Sequence, residues 1–171
     1  IGVEYASRNT LGIDRLAAAV GAWRVLPDKP CLVIDSGTCI TIDLVLPDRG
    51  FVGGNISAGL NMRLRACHEF TARLPLADSV KDMPEGTLGH DTMSALQAGA
   101  AMGVRYELEG YVRRFAKEYD ALAVFLTGGA AFGFDVPRKV TTFVRPYLVA
   151  EGLDAILEYN MRKKCKQEIK F

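Results

Sequence analysis

Apolar side chains recur at helical spacing in several parts of the chain. The first predicted helix begins at Asp14, and its apolar stripe consists of Leu16, Val20 and Trp23. A long helix is predicted from about residue 91 to residue 119, and its apolar positions are Met93, Leu96, Ala100, Val104, Leu108, Val112 and Phe115. A shorter helix is expected from Leu60 to Phe70. The last helix follows Pro146 and carries on one face Val149, Leu153 and Ile156.

Short β-branched and apolar runs separate these helices. Turn residues divide the first three runs at Ser36-Gly37 and at 47–50, as in a β-meander. The predicted strands cover residues 31–35, 40–45, 51–54, 123–126 and 141–144. A polar loop is predicted at 81–89, before the long helix. This order of elements favours an α/β fold with a mixed sheet flanked by helices.

Composition narrows the functional classes. The chain has 171 residues, of which 49% are hydrophobic, so one domain, or one domain with part of another, can bury a core. A net charge of +1 gives no electrostatic case for binding nucleic acid or an anionic membrane. No apolar run approaches the roughly 20 residues that span a bilayer. The four cysteines form no C-x-x-C pair, which favours reduced thiols in the cytoplasm.

The first motif that could form part of a functional site is D-S-G-T-C-I-T-I-D, at residues 35–43. Asp35 ends one predicted strand, Gly37 permits a tight turn, and Thr38 begins the return. Backbone N–H groups and hydroxyls in such a hairpin can contact phosphate oxygens, and the carboxylate can hold a cation. An ordinary β-hairpin is the alternative, because Asp, Ser and Gly are common turn residues.

The second motif is Leu11-Gly12-Ile13-Asp14-Arg15. Gly12 allows a ligand to approach the backbone, Asp14 is a candidate general base, and Arg15 is a candidate partner for an anionic substrate group. The alternative is an aspartate that caps a helix beside a solvated arginine.

Three further motifs are short and individually weak. They are G-G-N-I-S-A-G at 53–59, T-A-R-L-P at 71–75 and T-G-G-A at 127–130. The glycines of the last motif can let a nucleotide lie against the backbone. Taken singly, each of the three is better explained as a turn or a strand end.

Taken together and in order, these motifs are specific. Tyr5, G-I-D-R, D-S-G-T-C-I-T-I-D, G-G-N-I-S-A-G, T-A-R-L-P, G-H-D-T and T-G-G resemble the type III pantothenate kinase family over residues 5–129. The resemblance implies a ribonuclease H-like, actin-type domain. It also implies ATP-dependent phosphorylation of pantothenate to 4'-phosphopantothenate, the first step of coenzyme A biosynthesis.

The resemblance also implies residue roles. Asp14 matches the catalytic base, and Asp35 matches the ligand of a monovalent cation, K⁺ or ammonium. The positions implied for pantothenate are Tyr5, Gly12, Ile13, Asp14, Arg15, Thr71 and Thr92. The positions implied for ATP, which would bind with Mg²⁺, are Gly37, Thr38, Gly128 and Gly129. A homodimer in the cytoplasm, with no nucleic-acid or membrane partner, is implied as well.

The family's D-x-G-N-T or D-x-G-N-S hairpin is absent from this sequence. We therefore expect residues 1–28 to be the end of an N-terminal half-domain with its linking helix, and residues 29–171 to be the C-terminal actin-like half-domain. We expect this chain alone to be inactive, because one wall of the ATP cleft would be missing. Two rival hypotheses stay open: a non-catalytic regulatory or binding homologue of the same fold, and a different sugar or acid kinase of the superfamily.

Overall fold

In the part of the chain that the structure describes, five strands form one mixed sheet. The computed structural model describes residues 1–78, 88–129 and 134–168, with side chains as far as Lys163. The strands are β1 (Cys31–Ser36), β2 (Cys39–Leu46), β3 (Gly50–Ala58), β4 (Ala123–Thr127) and β5 (Thr141–Val144). Their order in the sheet is β3-β2-β1-β4-β5. The β1–β2 and β2–β3 pairs are antiparallel, whereas β4 runs parallel to both β1 and β5.

Among the described residues, four α-helices cover the two faces of this sheet. They are α1 (Ile13–Val25), α2 (Leu60–Glu69), α3 (Thr92–Glu118) and α4 (Leu148–Glu168). The predicted helices and strands therefore all form, and β3 continues through most of the third motif. No helix in the described part of the chain is both long and apolar enough to cross a bilayer.

Successive side chains along a strand point to opposite faces of the sheet, so the strands contribute to two separate hydrophobic cores. On one face, Leu32, Ile34 and Val124 pack against α3. The buried residues of α3 include Val104, Leu108 and Val112, as the helical spacing predicts. On the other face, the strands pack against α1 and the start of α4, through Cys31, Val33, Val45, Ala123, Phe125 and Leu148. The sheet thus separates an α2–α3 layer from an α1–α4 layer.

The predicted apolar stripe of α1 is not its buried face. Leu16, Val20 and Trp23 are only half-buried, whereas the side chains buried deepest are small: Ala17, Ala18, Ala19 and Ala22. Small residues lie here because α1 and α4 cross closely. A Cβ at Gly21 would lie 2.7 Å from the carbonyl oxygen of Leu148. The predicted face of α4 is also wrong in one position, because Leu153 is 44% exposed and Gly152 is buried instead.

Residues before α1 share the core of the sheet. Val3 forms a parallel bridge with Phe51, and the N–H of Glu4 donates to the carbonyl of Phe51 at 2.9 Å. Tyr5 packs edge-on against the Phe51 ring. The proposed division at residue 28 therefore crosses packed residues, and it stays a prediction. Most of the predicted loop at 81–89 lies outside the described residues.

Candidate functional site

Polar side chains replace apolar ones at one end of the sheet, on the face that carries α1. The strand register places Asp35 opposite Thr41 on β2 and opposite Thr127 on β4. Directly paired residues point to the same face of a sheet, and so does a residue two positions away, such as Asp43. Asp43 and Thr127 are buried, and Asp35 is half-buried. This end of the sheet therefore concentrates carboxylates and hydroxyls.

The first turn of α1 lies beside this polar end. Gly12 is the N-cap residue and has no side chain to cap the helix. Ile13 is 63% exposed and Asp14 is also exposed. A carboxylate oxygen of Asp14 accepts a hydrogen bond from the backbone N–H of Arg15 at 2.8 Å. The turn thus presents Asp14 outward, where a substrate could reach it.

Arg15 points the other way, into the protein. Its side chain is 5% exposed and that of Asp43 is 1% exposed. The Nε of Arg15 donates to both carboxylate oxygens of Asp43 at 3.1 Å, and Nη2 donates to Oδ1. Hydrogen bonding to Asp43 raises the pKa of Arg15. Burial raises the pKa of Asp43, while the bonds from Arg15 oppose that rise.

Aromatic rings and a glycine enclose this ion pair. The guanidinium carbon of Arg15 lies 5.5 Å from the centre of the Tyr5 ring and 5.6 Å from that of Phe51, within the range of cation–π attraction. Gly54 pairs with Asp43 across β2 and β3. A Cβ at Gly54 would overlap the Asp43 carboxylate, so this position leaves room for the ion pair only as glycine.

The structure brings Asp14 and Asp35 to the same region. Burial raises the pKa of Asp35, and the nearby carboxylates of Asp14 and Asp43 raise it further. No ion pair to Asp35 occurs within residues 1–78, 88–129 and 134–163. The half-buried carboxylate is thus available to an incoming cation.

The glycine motifs adjoin Asp35. Gly128 has φ +92° and packs on Asp35 and on the backbone of Ser36, where a side chain would collide with both. Gly129 and the Gly37–Thr38 turn are exposed. The N–H of Gly59 donates to the carbonyl of Thr38 at 3.0 Å and fixes that turn. The D-S-G-T and T-G-G motifs therefore meet at the ends of two neighbouring parallel strands.

Thr71 and Thr92 lie elsewhere in this chain. Thr71 follows α2, and its hydroxyl donates to the carbonyl of Cys67 at 2.7 Å. Thr92 begins α3, directly after the N-cap residue Asp91. Both belong to the α2–α3 layer, across the sheet from Asp14. Their assignment to a pantothenate site stays a prediction that this arrangement does not support within one chain.

Two features of the site differ from simple sequence expectations. The alternative of an aspartate cap beside a solvated arginine is wrong, because Gly12 is the N-cap and Arg15 is buried. Asp43 was not among the candidate site residues, although it ends the D-S-G-T-C-I-T-I-D motif. The signal available in sequence was a charged residue inside an otherwise apolar, β-branched strand, which calls for a partner.

The donor set at Asp35 suits a weakly bound cation. No group of three or more His, Cys, Asp or Glu side chains is placed to hold a metal within the described part of the chain. Asp35 offers a single carboxylate, so any cation there would need further ligands. Mg²⁺ usually binds through one or two carboxylates and substrate phosphates, so a nucleotide would have to complete its site.

The Asp35→Asn variant is expected to be more stable than the wild type at neutral pH. The pKa of Asp35 is raised in the folded protein. Folding therefore favours the protonated form of Asp35. The stability that this form contributes is fully present below the unfolded-state pKa of about 3.9 and is lost as the pH rises through the folded-state pKa. Asparagine cannot ionise, so the variant avoids the cost of a half-buried charge. We expect its free energy of unfolding at pH 7 to rise by about 1 kcal/mol, which corresponds to a Tm increase of roughly 2–4 °C.

Thermal unfolding in a buffer without potassium, at pH 7 and at pH 4, checks this expectation. The difference in Tm between the two proteins should shrink at pH 4, because Asp35 is then increasingly protonated in both folded and unfolded states. A lower Tm for the variant at pH 7 would contradict the electrostatic cost assigned to Asp35.

The fold and this site define an α/β protein in which carboxylates and glycine turns meet at one end of a mixed sheet. A family model described as type III pantothenate kinase matches residues 1–114. The chain belongs to the type III pantothenate kinase family. A relative from Bacteroides fragilis is 47% identical over 156 residues, which are 91% of this chain and 63% of the relative. A relative from Phocaeicola vulgatus is 43% identical over 91% of this chain and 64% of its own length. Both are named type III pantothenate kinase.

The chain thus spans less than two thirds of the length of these relatives. A solved structure from Campylobacter jejuni, described as a Baf family transcriptional activator, aligns with a TM-score of 0.57 and 22% identity. The alignment covers 94% of this chain and 69% of that one. At this identity, the likeness shows a shared fold.

Proposed function

We propose that the full-length protein uses ATP to phosphorylate pantothenate to 4'-phosphopantothenate, the first step of coenzyme A biosynthesis. The observation that carries the proposal is that Asp14 lies near enough to Asp35 to raise its pKa, while Gly128 packs directly on Asp35. Family membership supports the choice of pantothenate as the acceptor. Phosphoryl transfer depends on positioning and charge neutralisation more than on covalent catalysis. Because Arg15 is paired with Asp43, the neutralising charge here would come from bound cations.

In this proposal, Asp14 accepts the proton of the pantothenate primary hydroxyl as that oxygen attacks the γ-phosphate. Its exposure on the first turn of α1 suits that role. Gly37, Thr38, Gly128 and Gly129 contact ATP through backbone N–H groups and a hydroxyl. Asp35 holds K⁺ or ammonium, and Mg²⁺ binds with the nucleotide. These cations neutralise charge on the phosphates when bound.

Pantothenate binds along the start of α1 in the same proposal. The residues assigned to it there are Tyr5, Gly12, Ile13, Asp14 and Arg15. Thr71 and Thr92, which lie across the sheet from Asp14, are assigned to pantothenate by the family resemblance alone. The buried ion pair commits the Nε and Nη2 of Arg15 to Asp43. Any contact of Arg15 with substrate must therefore use its remaining nitrogen or its backbone.

The proposal also includes an actin-type fold, divided near residue 28, and a cytoplasmic homodimer. The strand order β3-β2-β1-β4-β5, with three antiparallel strands followed by two parallel ones, supports that fold type. The rival hypothesis of a non-catalytic homologue gains no support from the Campylobacter jejuni protein, because that likeness concerns the fold alone.

A coupled assay of the full-length protein tests the proposal. ADP release should depend on pantothenate, and it should rise when K⁺ or ammonium replaces Na⁺ at equal ionic strength. Absence of pantothenate-dependent ADP release under all of these conditions would overturn the proposed function and favour the non-catalytic rival. Turnover with another hydroxyl substrate alone would favour the rival kinase.

A further inference from the structure

One charged residue beside the site, Asp43, has no part in the proposed chemistry. Asp43 lies on β2 beside the polar end of the sheet and is 1% exposed, so no substrate can reach it. Its partner Arg15 belongs to the same helical turn as Asp14. We propose that Asp43 is a positioning residue, which holds Arg15 against the sheet and thereby fixes the first turn of α1 and the Asp14 carboxylate.

The start of α1 has few other anchors. Helices are commonly fixed at this end by a side chain at the N-cap position, which satisfies free backbone N–H groups. Here Gly12 has no side chain, and Ile13 is 63% exposed. Leu11 packs against the core on this face, and among the described residues the bidentate contact from Arg15 to Asp43 is the polar link between this turn and the sheet below it.

This link is geometrically strict. A planar guanidinium that donates two parallel hydrogen bonds to a carboxylate fixes distance and orientation together. The rings of Tyr5 and Phe51 flank the guanidinium, and Gly54 leaves space for the carboxylate. The backbone N–H of Arg15, in turn, donates to Asp14 at 2.8 Å. A shift of Arg15 would thus move the atoms that orient Asp14.

The inference rests on the proposed function, in which Asp14 is the base. Misplacing a reacting group by about 1 Å can lower a rate roughly 10²-fold. Asp43→Asn keeps the shape that Gly54 accommodates but removes the charge and replaces one acceptor oxygen with an amide NH2, which cannot accept a hydrogen bond from Arg15. We expect kcat to fall roughly 10–100-fold, while the KM for pantothenate changes less than about threefold.

A structural role must be separated from a positioning role, because Asp43→Asn leaves a buried arginine without its counter-ion. The double variant Arg15→Met/Asp43→Leu removes both charges. Replacing a buried ion pair with apolar residues is often neutral or stabilising, whereas breaking it is strongly destabilising. We expect the double variant to recover the Tm lost in Asp43→Asn without recovering kcat. Asp48→Asn makes the same charge change on an exposed turn and should leave kcat and KM unchanged.

The kinetics are measured on the full-length protein, at a temperature where circular dichroism shows each variant to be folded. A kcat within threefold of wild type in the folded double variant would overturn the positioning role, even if Asp43→Asn fails to fold. A rise in KM with unchanged kcat would overturn it as well, because the pair would then serve substrate binding. Absence of turnover by the unmodified protein would instead overturn the proposed function, and this inference with it.

Discussion

Replacing Asp14 with asparagine in the full-length protein is expected to lower kcat roughly 10²–10⁴-fold, with a much smaller change in the KM for pantothenate. The amide oxygen of asparagine can still accept the hydrogen bond from the Arg15 N–H, so the helical turn keeps its shape. The amide cannot take the proton of the attacking hydroxyl. The loss therefore falls on the chemical step, and steady-state kinetics with saturating ATP measures it.

Asp28→Asn is the matched control for this experiment. Asp28 lies exposed in the turn between α1 and β1, at the other end of the helix from Asp14. The same chemical change there should leave kcat unchanged. If Asp14→Asn also turns over within a few-fold of the wild-type rate, Asp14 is not the base.

Much of the fold follows from local patterns. The strands β1 and β2 are runs of apolar and β-branched residues. The turns that follow these two strands contain glycine and proline, which are common turn residues. The long helix α3 was predictable because Val104, Leu108 and Val112 repeat every fourth residue and are all buried. The burial of large apolar residues can be predicted from their size and spacing alone.

The buried face of α1 could not be predicted in the same way. Hydrophobic periodicity gives most weight to large residues, and it therefore selects Leu16, Val20 and Trp23. The true contact face consists of alanine and glycine because α4 lies so close that larger side chains do not fit. That closeness is a property of two helices more than a hundred residues apart in sequence, and neither pattern alone contains it.

Some features of the candidate site also follow from local sequence, whereas others depend on contacts between distant residues. Asp14 and Asp35 could be identified because each lies in a short motif, at a helix start and at a strand end. The partnership of Arg15 with Asp43 joins residues separated by 28 positions. No local rule pairs them, although burial of a charge on either element requires a counter-charge. Sequence thus indicated the two carboxylates Asp14 and Asp35, and the structure was needed to find the buried ion pair beside them.

Gly152→Ala is expected to lower the stability of the protein by roughly 1–3 kcal/mol, because a Cβ has no space between α4 and α1. A Cβ built at Gly152 overlaps the backbone carbonyl of Ala17. Backbone cannot rotate away as a flexible side chain can, so the two helices must move apart. That movement would loosen α1 along its length, and the Tm should fall by about 2–4 °C for each kcal/mol lost.

Gly110→Ala separates this clash from the general effect of replacing a helical glycine. Gly110 lies within α3, exposed, with no atom within 4 Å of the position that a Cβ would take. Alanine favours the helix over glycine by about 0.5–1 kcal/mol at either site. Gly110→Ala should therefore raise Tm, and the difference between the two variants in thermal unfolding measures the cost of separating α1 from α4. If both variants raised Tm equally, the helices would not cross as closely as these glycines indicate.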